Sequence, residues 1–249
     1  MSIDYSIIIP AYNEEAMLNT TINQLKEAML STPMKGEIIV TDNNSSDRTA
    51  EIAKQAGAVV VFEPVNQISR ARNTGARQAK GRYLIFVDAD TYVSPTLLQK
   101  TLDNLESGQC CGGGANVEFD SNISQILKAI MHYWNFISRI FRLAAGCYVY
   151  ALRDDFKASG GFSENHFATE EIWFSLALKR AARKHKRKFR VITNPKAITS
   201  SRKFNWFSKA YQLKLIFVLT LLPFLMRYKW ACGFWYKRPK NSSLENDGV

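Results

Sequence analysis

Asp88-Ala89-Asp90 closes the apolar run Tyr83-Leu84-Ile85-Phe86-Val87. A buried strand that ends in two carboxylates delivers acid groups to the C-terminal edge of a sheet, where open α/β sheets bind ligands. Two such groups repel each other and are costly to desolvate unless a cation neutralises them. Hard oxygen donors suit Mg²⁺ or Mn²⁺, which takes one or two protein carboxylates together with substrate phosphates. The pair therefore points to a metal-bound phosphate ester. Taken alone, the tripeptide is also compatible with a solvated turn after a strand.

The elements that must position this pair are legible upstream. Ser6 to Ile9 reads as a short strand stopped by Pro10, and Asn13 as a helix N-cap with Glu14 and Glu15 in the first turn. Glu37 to Thr41 is a second strand ending at Asp42, and Asp47 opens a helix through Ala56 that Gly57 stops. Ala58 to Phe62 is a third strand, Ser69 to Lys80 a helix closed by Gly81, and Pro95 sits in the first turn of the next helix. This alternation predicts an α/β fold with a mostly parallel sheet. Beyond Cys110, Gly112-Gly113-Gly114 reads as a flexible or tightly packed connection, and no Lys-Ser/Thr follows to make it a phosphate loop. Asn116 to Phe119 and Tyr148 to Leu152 read as strands, Gly160-Gly161 as a turn, and Thr169 to Lys184 as a helix. Ser121 to Ala145 reads as a long helix whose apolar stripe includes Ile130, Trp134, Ile137, Ile140 and Phe141, with Lys128, Arg139 and Arg142 between. Such a stripe suits the core or a membrane surface.

The chain has 249 residues, enough for one α/β domain with an appended segment. Its net charge of +11 favours an anionic partner. Lys179 to Arg190 is almost continuously basic, with few interleaved aromatics, which suits a solvated face or an anionic membrane better than nucleic acid. The spacing of Cys110, Cys111, Cys147 and Cys232 matches neither a disulfide framework nor a zinc site and predicts a reducing compartment. Met1 to Tyr5 leads straight into a strand, which predicts no signal peptide. The tail is different in kind. Leu213 to Met226 is strongly apolar, interrupted by Pro223, and flanked by Trp206, Lys209, Arg227, Lys229, Trp230, Trp235, Tyr236, Lys237 and Arg238. Aromatic and basic flanks belong at a membrane interface, and packing on the domain is the alternative. Asn241 to Val249 reads as a disordered end.

Taken together, Ile7-Ile8-Ile9-Pro10-Ala11-Tyr12-Asn13-Glu14-Glu15, Val40 to Thr49, Arg70-Ala71-Arg72-Asn73-Thr74-Gly75-Ala76 and Phe86 to Asp90 resemble the family-2 glycosyltransferases. Gly160-Gly161-Phe162-Ser163-Glu164 and Glu170-Glu171 extend the likeness. The resemblance implies a GT-A fold, a Rossmann-like mixed and mostly parallel sheet with flanking helices, followed here by an amphipathic or hydrophobic C-terminal segment. The implied division is a catalytic domain at 1–204, with a nucleotide-binding half at 1–95 and an acceptor half at 96–204. A membrane-associating tail would follow at 205–240, and a disordered end at 241–249.

The resemblance also implies a nucleotide-sugar donor, UDP- or GDP-linked, at the sheet edge. Pro10, Ala11, Tyr12 and Glu14 would line the base and ribose pocket, with Asp42 accepting from the base. Arg72 would approach the diphosphate. Asp88 and Ala89 would touch the ribose, and Asp90, with Asp88, would hold Mg²⁺ or Mn²⁺. Glu171 would be the general base and Glu170 its support, although relatives usually carry Glu-Asp at this pair. Some relatives supply a late His as a further metal ligand. Here Arg202 and Lys203 occupy that region and would contact phosphate, while His166 would be a surface residue or face the acceptor. The expected activity is metal-dependent, inverting transfer to a hydroxyl of a lipid or lipid-linked acceptor, as in glycolipid or envelope polysaccharide synthesis. The expected place is the cytoplasmic face of a membrane, held peripherally or monotopically. A nucleotidyltransferase or a catalytically silent membrane-surface scaffold are the alternatives. Against the former, Pro10-Ala11-Tyr12-Asn13 is not the Gly-rich loop that such enzymes place after the first strand.

Overall fold

The first strand, β1 (Tyr5–Ala11), buries Tyr5, Ile7 and Ile9 on one face and Ile8 on the other, so both faces of the sheet require cover. The computed structural model describes residues 2–121, 123–208, 211, 214 and 222–236. The parallel half of the sheet is β3 (Val59–Phe62), β2 (Gly36–Asp42), β1 and β4 (Tyr83–Val87), in that spatial order. Register places Ala11 opposite Asp42 and Ile8 opposite Phe86, so the acid-bearing ends of these strands share one edge.

Beyond β4 come β7 (Tyr148–Leu152), β6 (Cys110–Phe119), β8 (Lys188–Thr199) and the short β5 (Thr91–Tyr92). β7 is antiparallel to both neighbours, β8 is parallel to β6, and β5 is antiparallel to β8. The mixed, mostly parallel sheet expected from the sequence is present.

α1 (Leu18–Met29) and α4 (Pro95–Glu106) cover one face with Leu18, Ile22, Leu25, Leu97, Leu98, Leu102 and Leu105. α3 (Ile68–Gln78), α6 (Arg153–Ser159) and α7 (Glu170–Ala182) cover the other. There Phe162 packs edge-on to Phe86 at 4.9 Å between ring centres and stacks on Phe174 at 4.3 Å. α3 lies so close to the sheet that a Cβ on Gly75 would fall 2.5 Å from a methyl of Ile8.

Several local expectations are corrected. β1 continues through Pro10, because β4 stops pairing with β1 after Ile8 and the strand there has room for a residue without an N–H. Asn13 does not cap α1, which starts at Leu18 with no acid in its first turn. It takes a φ of +51°, and the N–H groups of Asn13, Glu14 and Glu15 are satisfied by Ser45, Thr49 and Asp47. α2 (Thr49–Gln55) begins after Asp47, whose carboxylate accepts the Thr49 N–H at 2.9 Å.

Gly112-Gly113-Gly114 is strand, not connection. A Cβ on Gly113 would lie 1.8 Å from the Arg190 carbonyl oxygen, so β7 and β8 close on a backbone that has no space for side chains. The long helix is shorter than expected, α5 (Gln125–Phe141), capped by Ser124. Of its apolar stripe, Ile130, Trp134 and Ile137 are partly buried while Ile140 and Phe141 are exposed, and beside the stripe Tyr133 and Phe136 are exposed too.

No described helix is long and apolar enough to cross a membrane. Most of Leu213 to Met226 and all of Asn241 to Val249 lie outside the described residues. Residues 222–236 fold back onto the domain, where Met226 and Cys232 are buried with Ala168 and the Phe167 N–H donates to the Met226 carbonyl at 2.9 Å.

Candidate functional site

The ends of β1, β2 and β4 open into a cleft lined by Pro10, Ala11, Tyr12, Glu14, Asn43, Asp88, Ala89 and Asp90. Asn66 and Ile68 form another wall, and Lys203, Trp235 and Tyr236 reach it from the C-terminal segment. Eight residues named from sequence therefore meet in one place: Pro10, Ala11, Tyr12, Glu14, Asp88, Ala89, Asp90 and Lys203. Asp42, Arg72, His166, Glu170, Glu171 and Arg202 are not among the residues that line it.

Two arginines organise the charges around this cleft. Arg72 is 2% exposed and donates to Asp88 at 2.9 Å, to the Gly146 carbonyl at 2.7 Å and to Glu170 in a short ion pair. Its guanidinium also stands 5.2 Å from the Phe162 ring centre. Burial lowers the Arg72 pKa, but Asp88, Glu170 and Glu171 outweigh it and the net shift is upward. The expected approach of Arg72 to a diphosphate would require release of Asp88 or Glu170. α3 carries Arg72 to a buried position next to Asp88, where Nη1 and Nη2 bond two carboxylates and a carbonyl while Nε has no hydrogen-bond partner among the described residues. Arg70, two residues earlier, is the outward one and pairs with Glu164 at 3.0 Å.

The second arginine, Arg202 at the start of α8 (Arg202–Asn205), forms a short ion pair with Glu14 and approaches Asp90 at 3.4 Å. Lys203 lies 3.6 Å from the same Asp90 oxygen. The residues expected to hold phosphate instead rest on the cleft's own carboxylates. Glu14 is held among polar loops by its N–H to Thr49 at 2.8 Å. Asp42 is buried and accepts the Ser45 N–H at 3.1 Å, so it braces the loop whose next residue, Asn43, lines the cleft.

At the far side of Arg72 stands the acidic pair. Thr169, at a φ of +61°, turns the chain into α7, whose first residues are Glu170 and Glu171. Burial raises the Glu170 carboxyl against the pull of Arg72. Glu171 is half-buried and has no ion-pair partner among the described residues. Burial first, and then the neighbouring Glu170, push its pKa up to about 8. Asp88 is also raised by burial, opposed by Arg72 and Lys203. Asp88 lines the cleft and holds Arg72, so Asp88–Arg72–Glu170 links cleft to acidic pair in one charge network. A carboxyl whose pKa is raised toward neutrality, next to the arginine that ties the acidic pair to the cleft, is a group poised to accept a proton.

His166 is neither a surface group nor turned to the cleft. It is 7% exposed, stacks on Trp173 at 5.0 Å between ring centres, and meets the Ser163 hydroxyl at 3.0 Å, with burial lowering its pKa.

The donor set was tested against a divalent cation. Among the described residues no three His, Cys, Asp or Glu converge as a preformed cage. Asp88 and Asp90 nonetheless offer two hard carboxylates at one edge of the cleft, and Mg²⁺ or Mn²⁺ commonly takes only that from protein and completes its shell with phosphate and water. The residues fit such an ion once Arg202 and Lys203 turn from Asp90 toward the incoming phosphates.

Sequence reasoning missed the wall formed by Trp235 and Tyr236. Tyr236 donates from its hydroxyl to the Phe167 carbonyl at 2.9 Å and accepts the Ile68 N–H at 3.3 Å, fastening the tail across the cleft. The only signal was aromatic density in a segment read as a membrane flank. Asn73 was quoted only as part of a motif. It holds Phe162 by both its N–H and its carbonyl at 2.9 Å each, which explains why the Arg70–Ala76 and Gly160–Glu164 segments belong together.

Comparison with known proteins gives this arrangement a context. The model of "Glycosyl transferase family 2" matches residues 6–157. "Uncharacterized glycosyltransferase EpsJ" of Bacillus subtilis is 37% identical over 109 residues, covering 42% of this chain and 31% of that protein. Dolichol-phosphate mannosyltransferase of Saccharomyces cerevisiae is 34% identical over 112 residues, 42% of each chain. The chain thus spans less than half the length of these relatives. Among solved structures, S. aureus TarS 1-349 in complex with UDP-GlcNAc superposes with a TM-score of 0.59 at 18% identity, over 80% of this chain and 59% of that one. Mannosyltransferase PcManGT from Pyrobaculum calidifontis, in complex with GDP-Man and Mn²⁺, superposes with a TM-score of 0.60 at 17% identity, over 87% and 61%. These two establish the likeness of fold.

Proposed function

The chain belongs to glycosyl transferase family 2, and from that premise we propose that it transfers a sugar from a nucleotide-diphosphate donor to a hydroxyl of a lipid or lipid-linked acceptor, with inversion at the anomeric carbon. The observation that carries the reading is the division of the acids. Asp88 and Asp90 line the cleft, Glu171 stands apart with its pKa near 8, and Arg72 ties the two regions together. That UDP-GlcNAc and GDP-Man occupy proteins of this fold supports a UDP- or GDP-sugar, and the dolichol-phosphate mannosyltransferase relative supports a lipid acceptor. The apolar, aromatic- and base-flanked sequence of the tail and the basic run Lys179 to Arg190 support a reaction at the cytoplasmic face of a membrane.

In this reading Pro10, Ala11 and Tyr12 hold the nucleoside, the Tyr12 ring packing on the base. Lys203 and Arg202 leave Asp90 for the diphosphate and neutralise charge as it departs. Asp90 and Asp88 hold the divalent cation, Mg²⁺ or Mn²⁺, which when bound supplies further stabilisation of the leaving phosphate oxygens. The acceptor hydroxyl oxygen forms its bond to the anomeric carbon while the bond to the nucleotide diphosphate breaks. Its proton passes to the Glu171 carboxylate. Glu170 is engaged with Arg72 and orients the start of α7, leaving Glu171 free to act.

Thermal stabilisation by UDP-, GDP-, CMP- and dTDP-sugars, with and without Mn²⁺, tests the reading. A donor at 100 times its Kd adds about 2.7 kcal/mol of stability. One donor class should raise Tm, and more so with Mn²⁺. No response to any donor would refute it.

A further inference from the structure

α5 holds an apolar face that the domain leaves open. Tyr133 is 67% exposed, Phe136 49%, Ile140 56% and Phe141 59%. At 100° per residue, Tyr133, Phe136 and Ile140 fall within an arc of roughly 60°. Asn135 and Ser138 lie on the opposite side of the helix, and these fix it. Asn135 bonds both the N–H and the carbonyl of Val117 at 2.9 Å, and Ser138 donates to the Leu143 carbonyl at 2.6 Å. The helix is therefore anchored by its back, with Tyr133, Phe136 and Ile140 outward.

α7 meets the C-terminal end of α5 and has exposed apolar residues of its own. Lys179 donates to the Phe141 carbonyl at 2.8 Å, joining the two helices, and Trp173 and Leu176 of α7 are exposed at 47% and 42%. Along α5, and along α7 beyond Glu171, every Asp, Glu, Lys or Arg is basic; Glu118 and Asp120 share a groove with Lys128 and Arg139 beside α5. No Asp or Glu occurs from residue 121 to 153, nor from 172 to 244, while Lys128, Arg139, Arg142, Lys179, Arg180 and Arg183 fall within those stretches. Exposed Tyr, Trp, Phe and Ile near Arg142, Lys179, Arg180 and Arg183 complement a surface that is apolar beneath and anionic at its face. An ordinary protein surface mixes both signs.

We infer that the exposed face of α5, with Trp173 and Leu176 of α7, seats the protein on an anionic lipid bilayer and opens the acceptor side of the site toward it. The inference rests on the lipid-acceptor reading for its second half only. Five residues beyond the end of α5 lies Gly146, whose carbonyl takes Arg72 and whose Cβ position lies 3.5 Å from the Glu171 carboxyl carbon. Trp173 follows Glu171 by two residues. An acceptor whose apolar chain stays in the bilayer thus meets the base where this face ends. The docking surface is made of α5 and α7 residues, distinct in sequence from the apolar tail.

The experiment is flotation of the full-length protein with phosphatidylcholine vesicles and with vesicles containing one quarter phosphatidylglycerol, at low and high salt. Wild type should bind the anionic vesicles at least tenfold more tightly than the neutral ones, and less tightly at high salt. The variant Phe136→Asp/Ile140→Asp should lose at least tenfold of that binding. Its Tm and its stabilisation by the nucleotide sugar should be unchanged, since both side chains are exposed and outside the cleft. Arg139→Glu/Arg142→Glu should lose the preference for anionic lipid. Undiminished binding by the Phe136/Ile140 variant would overturn the inference, as would equal binding of wild type to neutral vesicles. A concentration-dependent dimer that the same variant abolishes would overturn it in favour of a second protein chain. If no nucleotide sugar stabilises wild type, the transferase reading fails while the vesicle result still decides this one.

Discussion

Replacing Arg72 by Met should cost this protein more than any other single change of charge. Arg72 is 2% exposed, its partner Glu170 has a side chain 5% exposed, and Asp88 is 30% exposed. Removing one partner of a buried ion pair typically costs about 3–5 kcal/mol, because the remaining charge is left without compensation. Solvent reaches Asp88 and carries part of its charge, which puts the loss near the lower end, about 3 kcal/mol. For a chain of this size each kcal/mol shifts Tm by about 2–4 °C, so the variant should melt about 6–12 °C below wild type.

The pH dependence has a definite sign. Burial already raises the Glu170 carboxyl in the folded state against the opposing pull of Arg72, and without Arg72 it rises further. A carboxyl whose folded pKa stands above its unfolded value of about 4.3 destabilises the fold increasingly as pH climbs between those two values. The deficit of Arg72→Met should therefore be larger at pH 8 than at pH 5. Adding Glu170→Gln removes the stranded charge and should restore about half of the lost stability. Calorimetry of the two variants at both pH values measures all three effects. A loss below about 3 °C, a deficit independent of pH, or a double variant no better than the single one would each refute the reasoning.

Glu171→Gln should cut turnover about 10²–10⁴-fold and leave stabilisation by the donor intact, as single-turnover and thermal-shift measurements would show. In wild type the rate should rise with pH to a midpoint near 8, since the active form of Glu171 is the ionised one, and this limb should vanish in the variant. Gly113→Ala should destabilise by about 3 kcal/mol, since its methyl meets the Arg190 carbonyl and the Tyr150 ring with nothing flexible to yield; denaturant unfolding would reveal a milder effect if β6 can shift. Tyr236→Ala should weaken binding of the nucleotide sugar severalfold by opening one wall of the cleft, with a loss of Tm that Tyr236→Phe only partly reproduces. Unchanged donor affinity in Tyr236→Ala would show the wall to be irrelevant to the nucleotide.

The parallel half of the fold was legible because each strand is a short apolar run ending in polar residues, as in Ile7 to Tyr12 and Tyr83 to Asp90. Periodicity and punctuation are local signals. What failed was long-range. Asn13 was read as a cap because its side chain suits one, but its neighbours' N–H groups are satisfied from a loop more than 30 residues away. Gly112-Gly113-Gly114 carries no strand propensity, and only the arrival of Tyr150 and Arg190 explains the glycines. Arg72 is held between Asp88, which lines the cleft, and Glu170 of the acidic pair. A sequence reports that a cation lies near carboxylates, not whether it faces the ligand or stands behind them. The α5 stripe showed the limit of periodicity itself, which identifies a face but not what covers it.

The charges of the cleft argue for how the donor must be accommodated. Arg72 joins Asp88 to Glu170, and Arg202 joins Glu14 to Asp90, with Lys203 adding one cation. Four carboxylates thus face three cations, so the site is close to neutral before any ligand arrives, with Glu171 largely protonated at pH 7. A nucleotide-diphosphate sugar brings two further negative charges into a partly desolvated cleft, and Arg202 and Lys203 can turn to it only by uncovering Glu14 or Asp90. A divalent ion restores the balance. It follows that Asp90→Asn should act in two opposed ways. Freeing Lys203 and relieving one negative charge should let the variant bind nucleotide diphosphate without metal more tightly than wild type does. Losing a hard oxygen ligand should abolish the gain that Mn²⁺ gives. Titration calorimetry of both proteins with UDP and GDP, with and without Mn²⁺, measures the crossover. Weaker metal-free binding by the variant would show that Asp90 contacts the donor itself and does not serve as the counter-charge to Arg202 and Lys203.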